Sequence, residues 1–248
     1  MGVVYGAVDL ALQRRVAIKL MQKELAQQED ELGLFLTEAR LVAQLKHPNL
    51  VEIYHIHREN GRLALIFEFV EGSPLNRFLA GGRRLPLAHV KLALRQVASA
   101  LDYAHGKKVI HRDLKPANVM VSKDGTVKVM DFGIAYQAKL TVAKATRVNA
   151  WGTPAYMAPE QELGRISRES DLFALGAMTY EMLTGRIPFA GPNFLAQKQQ
   201  RVYTPVTQAA KDLPKGADAV LDKALSPDPA GRYRSAGEFA SALESVPG

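Results

Sequence analysis

Apolar and polar positions follow two regimes along the chain. In the first 70 residues the apolar runs are short and rich in β-formers. Val3–Asp9 and Arg15–Met21 flank a short turn and predict two strands. Glu29–Lys46 changes to helical spacing, with Phe35, Leu36, Ala39, Val42 and Leu45 on one apolar stripe. His47-Pro48-Asn49 stops that helix, because proline disfavours helical geometry in the residue before it. Val51–His57 and Leu63–Phe69 predict two more strands, with Asn60-Gly61 as the hairpin turn between them.

After Glu71-Gly72 the period becomes helical. Leu87, Val90, Leu94, Val97, Leu101 and Ala104 mark one long buried helix. Val119–Val121 and Val127–Val129 bracket Lys123-Asp124-Gly125, a second hairpin signal. Beyond Pro159 helices are predicted around Leu172–Leu183, Asn193–Gln200, Ala217–Leu225 and Ala236–Leu243. An α+β fold is therefore expected, with a small β-rich lobe over residues 1–70 and a larger, mainly helical lobe over 71–248. Glu68–Gly72 is the connection, and there is no internal repeat or low-complexity linker.

Composition changes this picture little. At 47% hydrophobic and 23% charged, the chain is ordinary for a globular domain. The formal charge of +7 carries no aromatic-interleaved basic motif, and Arg83-Arg84 and Lys107-Lys108 read as solvated loop charges, so no nucleic-acid partner is expected. With no cysteine, disulfides and cysteine-based metal sites are excluded, which fits a cytoplasmic setting. No apolar run is long enough to suggest a membrane span, and the first residues show neither a signal-peptide pattern nor a lipid-anchor motif.

The chemistry is concentrated in His111-Arg112-Asp113-Leu114-Lys115-Pro116-Ala117-Asn118 and in Asp131-Phe132-Gly133. Two carboxylates, an amide and a lysine fall in one short region. Phosphoryl transfer from a magnesium nucleotide needs such groups: one carboxylate for the attacking hydroxyl and an oxygen pair for the metal. Val16-Ala17-Ile18-Lys19 lies on a predicted strand and Glu38 on the helix that follows. Taken alone, that lysine and glutamate would be an unrelated solvated pair.

Together these motifs resemble the protein-kinase signature set, and the resemblance runs over nearly the whole chain. Met-Gly-Val-Val-Tyr, Glu-Met-Leu-Thr-Gly-Arg-Ile-Pro-Phe and Ala-Pro-Glu-Gln are similar to bacterial kinases of the eukaryotic-like, PknB-related type. The resemblance implies a bilobal kinase fold with a small antiparallel sheet carrying one helix. It implies an ATP- and Mg2+-dependent enzyme that phosphorylates Ser or Thr in protein substrates, with autophosphorylation of its own activation loop. Asp113 is then the catalytic base, Lys115 the contact to the transferring phosphate, and Asn118 and Asp131 the magnesium ligands. Lys19 would hold the α- and β-phosphates, with Glu38 fixing Lys19 in place.

By the same resemblance Leu65–Val70 leads into the hinge. Phe67 stands at the gatekeeper position, the backbones of Glu68 and Val70 face adenine, and Val4, Ala17 and Met120 sandwich the base. On periodicity alone these are core residues. Gly152–Glu160 closes the activation segment, where Thr153 supports the catalytic aspartate and lysine. Glu160 is expected to pair with Arg232, and Asp171 to brace the catalytic loop. Arg112 marks kinases whose phosphorylated loop pairs with arginine, and Thr141 and Thr146 are the candidate sites.

One departure stands out. Of the nucleotide-covering pattern G-x-G-x-x-G-x-V only the end is present, with Gly2 at the third glycine and Val4 at the valine. Without the first strand and two glycines, weaker ATP binding and a less stable small lobe are expected. The alternative from another class is a catalytically impaired, pseudokinase-like scaffold. A small-molecule kinase is a third reading, disfavoured by the Gly152–Glu160 segment. The resemblance further implies a dimer through the small lobe and a cytoplasmic domain that can be membrane-anchored beyond this chain.

Overall fold

The computed structural model describes residues 3–21, 29–59, 62–133 and 153–247. Strands β1 (Val4–Asp9), β2 (Arg14–Leu20), β3 (Ile53–Glu59) and β4 (Arg62–Glu68) form one antiparallel sheet in the order β1-β2-β4-β3. Helix α1 (Glu29–Ala43) lies between β2 and β3 in the chain. It turns Leu32, Phe35 and Ala39 onto Ile53, Leu63, Leu65 and Phe67 of the sheet, and this is the smaller of two apolar cores. Burying each such aliphatic or aromatic side chain is worth ~1.5–3 kcal/mol, which holds α1 against the strands.

A second sheet, β5 (Gly72–Pro74), β6 (Val119–Ser122) and β7 (Val127–Val129), follows the connection. Helices α2 (Leu75–Leu79) and α3 (Leu87–Gly106) run between β5 and β6. Beyond β7 come α4 (Pro159–Glu162), α5 (Arg168–Thr184), α6 (Phe194–Gln199), α7 (Val206–Ala209), α8 (Gly216–Ala224) and α9 (Ala236–Glu244). The larger core sits here. Val90, Leu94, Val97, Leu101 and Ala104 of α3 are all buried in it, as the helical spacing predicts.

Helix α5 is buried on nearly every side from Ser170 to Thr184, so it is the axis of the helical part. It ends at Gly185, whose φ of 72° is the left-handed conformation glycine adopts without strain. A Cβ there would also lie 2.1 Å from the Gly82 carbonyl oxygen, so the helix end and the 81–83 loop approach at glycine–glycine contact.

The two cores are tied together below α1. Asn49 donates to the Val127 carbonyl at 2.8 Å, and Val51 N–H donates to Val129 at 2.9 Å. These bonds fix the Asn49–Val51 loop on β7, immediately ahead of Asp131. Among the described residues no helix is long and apolar enough to cross a membrane.

Candidate active site

The segment after α3 is held by a single buried carboxylate. Asp171, near the start of α5, accepts from the backbone N–H of His111 at 2.8 Å and from that of Arg112 at 2.9 Å. His105 on α3 reaches the same carboxylate at 2.7 Å. Those contacts hold Arg112 at φ 70°, a conformation that costs a non-glycine residue ~1–3 kcal/mol unless its surroundings enforce it. Asp131 has a similar φ of 63°. Of the five non-glycine residues with positive φ among the described residues, these two fall in the His111–Asn118 and Asp131–Gly133 motifs.

His111 is fully enclosed, and burial holds its pKa below the ordinary histidine value. The neutral ring donates from Nε2 to the Met130 carbonyl (3.0 Å) and accepts at Nδ1 from the Asp113 N–H (3.3 Å). It thus links the segment preceding Asp131 to the backbone of Asp113. Phe132 is buried with its ring centroid 4.5 Å from that of His111, a packing role for the phenylalanine.

Asp113 itself is nearly buried. Lys115 Nζ donates to its carboxylate at 3.0 and 3.2 Å and to the Thr153 hydroxyl at 3.0 Å. An ammonium and a carboxylate therefore face a hydroxyl-bearing stretch of chain that comes from the far side of the sequence. Asn118 is turned by the short 3-10 turn Pro116–Asn118, and its amide nitrogen donates to the Asp113 carbonyl at 2.7 Å. That leaves the amide oxygen as the atom a cation would take.

Between the two sheets lies a cavity of about 300 Å³. Val4, Ala17, Lys19, Phe67, Glu68, Val70 and Met120, the residues expected around a nucleotide, all line it. The period of two along β2 puts Ala17 and Lys19 on the same face. Glu68 N–H is spent on the Glu52 carbonyl at 2.9 Å, so this residue could offer a nucleobase its carbonyl and not its N–H. Asp131 lines it too, and Val51, Phe69, Gly72 and Met130, not foreseen as lining residues, complete it. Met130 directly precedes Asp131 and could have been inferred from that neighbourhood, whereas Val51 is brought in by the β7 tie and carries no local signal. Gly2, Thr141, Thr146 and Gly152 lie outside the described residues.

One expected contact is replaced. Lys19 Nζ lies 2.6 Å from Asp131 Oδ1, and Glu38 pairs with Arg112 instead of with Lys19. The reason is competition: Lys19 meets the Asp131 carboxylate across the cavity floor, and Arg112 offers Glu38 a second cation. Glu38 Oε2 is buried and has no hydrogen-bond partner among the described residues.

The protein kinase domain family matches residues 1–242. The chain belongs to this family. It is 38% identical over 252 residues to the serine/threonine-protein kinase PknA of Mycobacterium tuberculosis, covering 99% of this chain and 58% of that protein. It is 33% identical over 247 residues to the serine/threonine-protein kinase PrkC of Bacillus subtilis, covering 98% of this chain and 38% of the relative. The chain thus spans between a third and three-fifths of the length of these two relatives. The crystal structure of the Mycobacterium tuberculosis PknI kinase domain superposes with a TM-score of 0.78 at 28% identity, covering 98% of this chain and 90% of that one.

In this kinase domain the expected structural ion pair forms. Arg232 binds both oxygens of Glu160, at 2.7 and 2.8 Å, inside the helical part. Gln161, not foreseen from the sequence, donates to the Arg112 carbonyl at 2.6 Å and anchors α4 to the catalytic segment. The donor set also fits a magnesium ion of a bound nucleotide. Among the described residues no cluster of three or more His, Cys, Asp or Glu could hold a metal unaided. Asn118 and Asp131 would supply one amide and one carboxylate oxygen, and magnesium characteristically completes such a set with phosphate oxygens and water.

Proposed function

We propose that this chain transfers the γ-phosphoryl group of magnesium ATP to serine or threonine hydroxyls of proteins. The observation that carries this reading is the Asp113–Lys115–Thr153 arrangement, in a chain that also holds an apolar cavity with Lys19 and Asp131 in its lining. Asp113 accepts or orients the proton of the acceptor hydroxyl. Lys115 places a positive charge beside it, where negative charge gathers during transfer. Lys19 supplies a second ammonium at the cavity end, and Asn118 and Asp131 would hold the metal. Bound magnesium ATP would supply the phosphoryl group and neutralise its charge. The apolar lining takes the base, and Val4, Ala17 and Met120 are the residues we assign to its two faces.

Thr141 and Thr146 are proposed as sites that the domain phosphorylates on itself. A binding-only scaffold has no chemical use for Lys19, Asp113, Asn118 and Asp131 together, and no observation favours that alternative. The test is to incubate the purified chain with magnesium ATP and a generic protein acceptor, beside Asp113→Asn. Phosphate on serine or threonine should appear with the parent chain and be lost in the variant, with phosphosites mapped by mass spectrometry. Equal transfer by the two proteins, or none by a parent chain that binds nucleotide, would overturn the proposal.

A further inference from the structure

Lys198 has no place in the chemistry described so far, yet its side chain is completely enclosed. Removing an ammonium from water costs several kcal/mol unless its hydrogen-bonding directions are met. Burial indeed pulls the pKa of Lys198 down, and Glu162 and Glu160 pull it back up. Two partners account for its position on α6. Its Nζ pairs with the Glu162 carboxylate at the end of α4, and it donates to the Pro154 carbonyl at 2.5 Å.

Pro154 directly follows Thr153, whose hydroxyl accepts from Lys115 at 3.0 Å, and Lys115 in turn rests on Asp113. The Pro154 carbonyl also accepts from Met157 N–H at 3.3 Å, and Tyr156 N–H donates to Thr153 at 3.0 Å. The segment is therefore a tight turn, and Lys198 grips the carbonyl at its second residue. Glu160 and Gln161 fix the neighbouring helix to Arg232 and to the Arg112 carbonyl. Neither of them reaches the turn itself; Lys115 meets its Thr153 hydroxyl and Glu181 its Tyr156 hydroxyl, and among the described residues the side-chain hold on its Pro154 carbonyl comes from α6.

We infer that Lys198 is a positioning residue of the phosphoryl-transfer site: by clamping the Pro154 carbonyl it sets the Thr153 hydroxyl at the correct distance from Lys115 and Asp113. The inference rests on the kinase reading for its catalytic consequence and on geometry alone for the clamp. An aliphatic side chain of similar length would fill the same space without a desolvation cost. It could not hold a carbonyl oxygen, so the positional and the stabilising roles can be separated.

The experiment compares the parent chain, Lys198→Met, and Lys198→Met combined with Glu162→Gln, which also removes the half-buried carboxylate left behind. Steady-state kcat and KM, ATP binding, thermal midpoint and backbone hydrogen exchange are read on each. Because misplacement by ~1 Å can cost ~100-fold, Lys198→Met should lower kcat by ~10–100-fold while leaving ATP affinity unchanged. Exchange at the Tyr156 and Met157 amides should quicken. The double variant should regain thermal stability but neither kcat nor slow exchange. Recovery of kcat together with the midpoint, or unchanged exchange in Lys198→Met, would overturn the inference. A parent chain with no transferase activity would sink the kinase reading, and the exchange measurement would still decide the clamp.

Discussion

Replacing Glu160 by glutamine removes the negative partner of a buried guanidinium. The Arg232 side chain is fully enclosed, and Glu160 binds it through both oxygens at 2.7 and 2.8 Å. Breaking a buried pair by deleting one partner typically costs ~3–5 kcal/mol, because the remaining charge stays buried without compensation. The lower end applies here, since Arg232 keeps the carbonyls of Ser226, Glu169 and Pro227 at 2.8, 2.7 and 3.1 Å. For a chain of this size each kcal/mol moves the thermal midpoint by ~2–4 °C, so a loss of ~3 kcal/mol should lower it by ~6–12 °C. The assay is thermal unfolding by circular dichroism at pH 7.5, with Glu71→Gln as the control. Glu71 and its partner Arg15 are both more than half exposed, and that variant should leave the midpoint unmoved. A double-mutant cycle with Arg232→Met should give a coupling well above the ~0.5 kcal/mol expected of independent sites. A Glu160→Gln midpoint equal to that of the control, or a coupling at the level of independent sites, would refute the reasoning.

Two further predictions concern buried titrating groups. His111 is neutral when folded because burial lowers its pKa from 6.5. The unfolded chain therefore takes up a proton as the pH falls through 6.5, and stability should drop by up to ~1.4 kcal/mol per pH unit below that point. His111→Gln, which can keep one donor and one acceptor, should show a flatter fall of the midpoint between pH 7 and pH 5. A parallel fall in both proteins would count against a buried neutral ring. Tyr156 donates its hydroxyl to Glu181 at 2.5 Å, and burial already raises the Glu181 pKa above the usual carboxylate range. In Tyr156→Phe the carboxylate loses that bond and its pKa rises further, so the folded state is penalised where the group is ionised. The loss should be ~1–3 kcal/mol at pH 8 and smaller at pH 5, and a pH-independent loss in urea titrations would rule this out.

Much of the fold was legible because the hydrophobic pattern states it directly. Phe35, Ala39 and Leu45 of the α1 stripe and Val90, Leu94, Val97, Leu101 and Ala104 of the α3 stripe are buried in the two cores, with Leu36, Val42 and Leu87 partly buried against them. The errors lie where the pattern is silent. The prediction carried α1 to Lys46, but the structure ends it at Ala43: Gln44 and Leu45 bond three residues back, and Leu45 turns into the larger core. Strand β5 went unseen because Gly72 and Pro74 read as breakers. Yet Gly72 is needed there, since a Cβ would lie 2.0 Å from the Val121 carbonyl oxygen of the partner strand. Helix α5 starts four residues before its predicted start, on Arg168 and Glu169, which are too polar to register as helix core. Its first turn is set by Ser167, whose N–H meets the Ser170 hydroxyl at 3.3 Å.

At the site the residue types were legible and their pairing was not. Spacing along the chain placed a lysine on β2, a glutamate on α1, and an arginine and an aspartate in the loops below. It could not say which cation meets which anion, because four charges within reach of one another allow two arrangements. The structure realises Lys19 with Asp131 and Glu38 with Arg112. Opposite charges are adjacent in either arrangement, so the choice turns on the remaining lone pairs and on desolvation. Here the balance is incomplete, for Glu38 Oε2 is buried without a hydrogen bond among the described residues. A buried acceptor left this way costs ~1–3 kcal/mol. The pairing in this structure therefore lacks a bond that the expected Lys19–Glu38 contact could make. That contact would, in turn, take Lys19 away from Asp131. Sequence spacing identifies the competitors in such an exchange, and only the three-dimensional arrangement shows which pairs have formed.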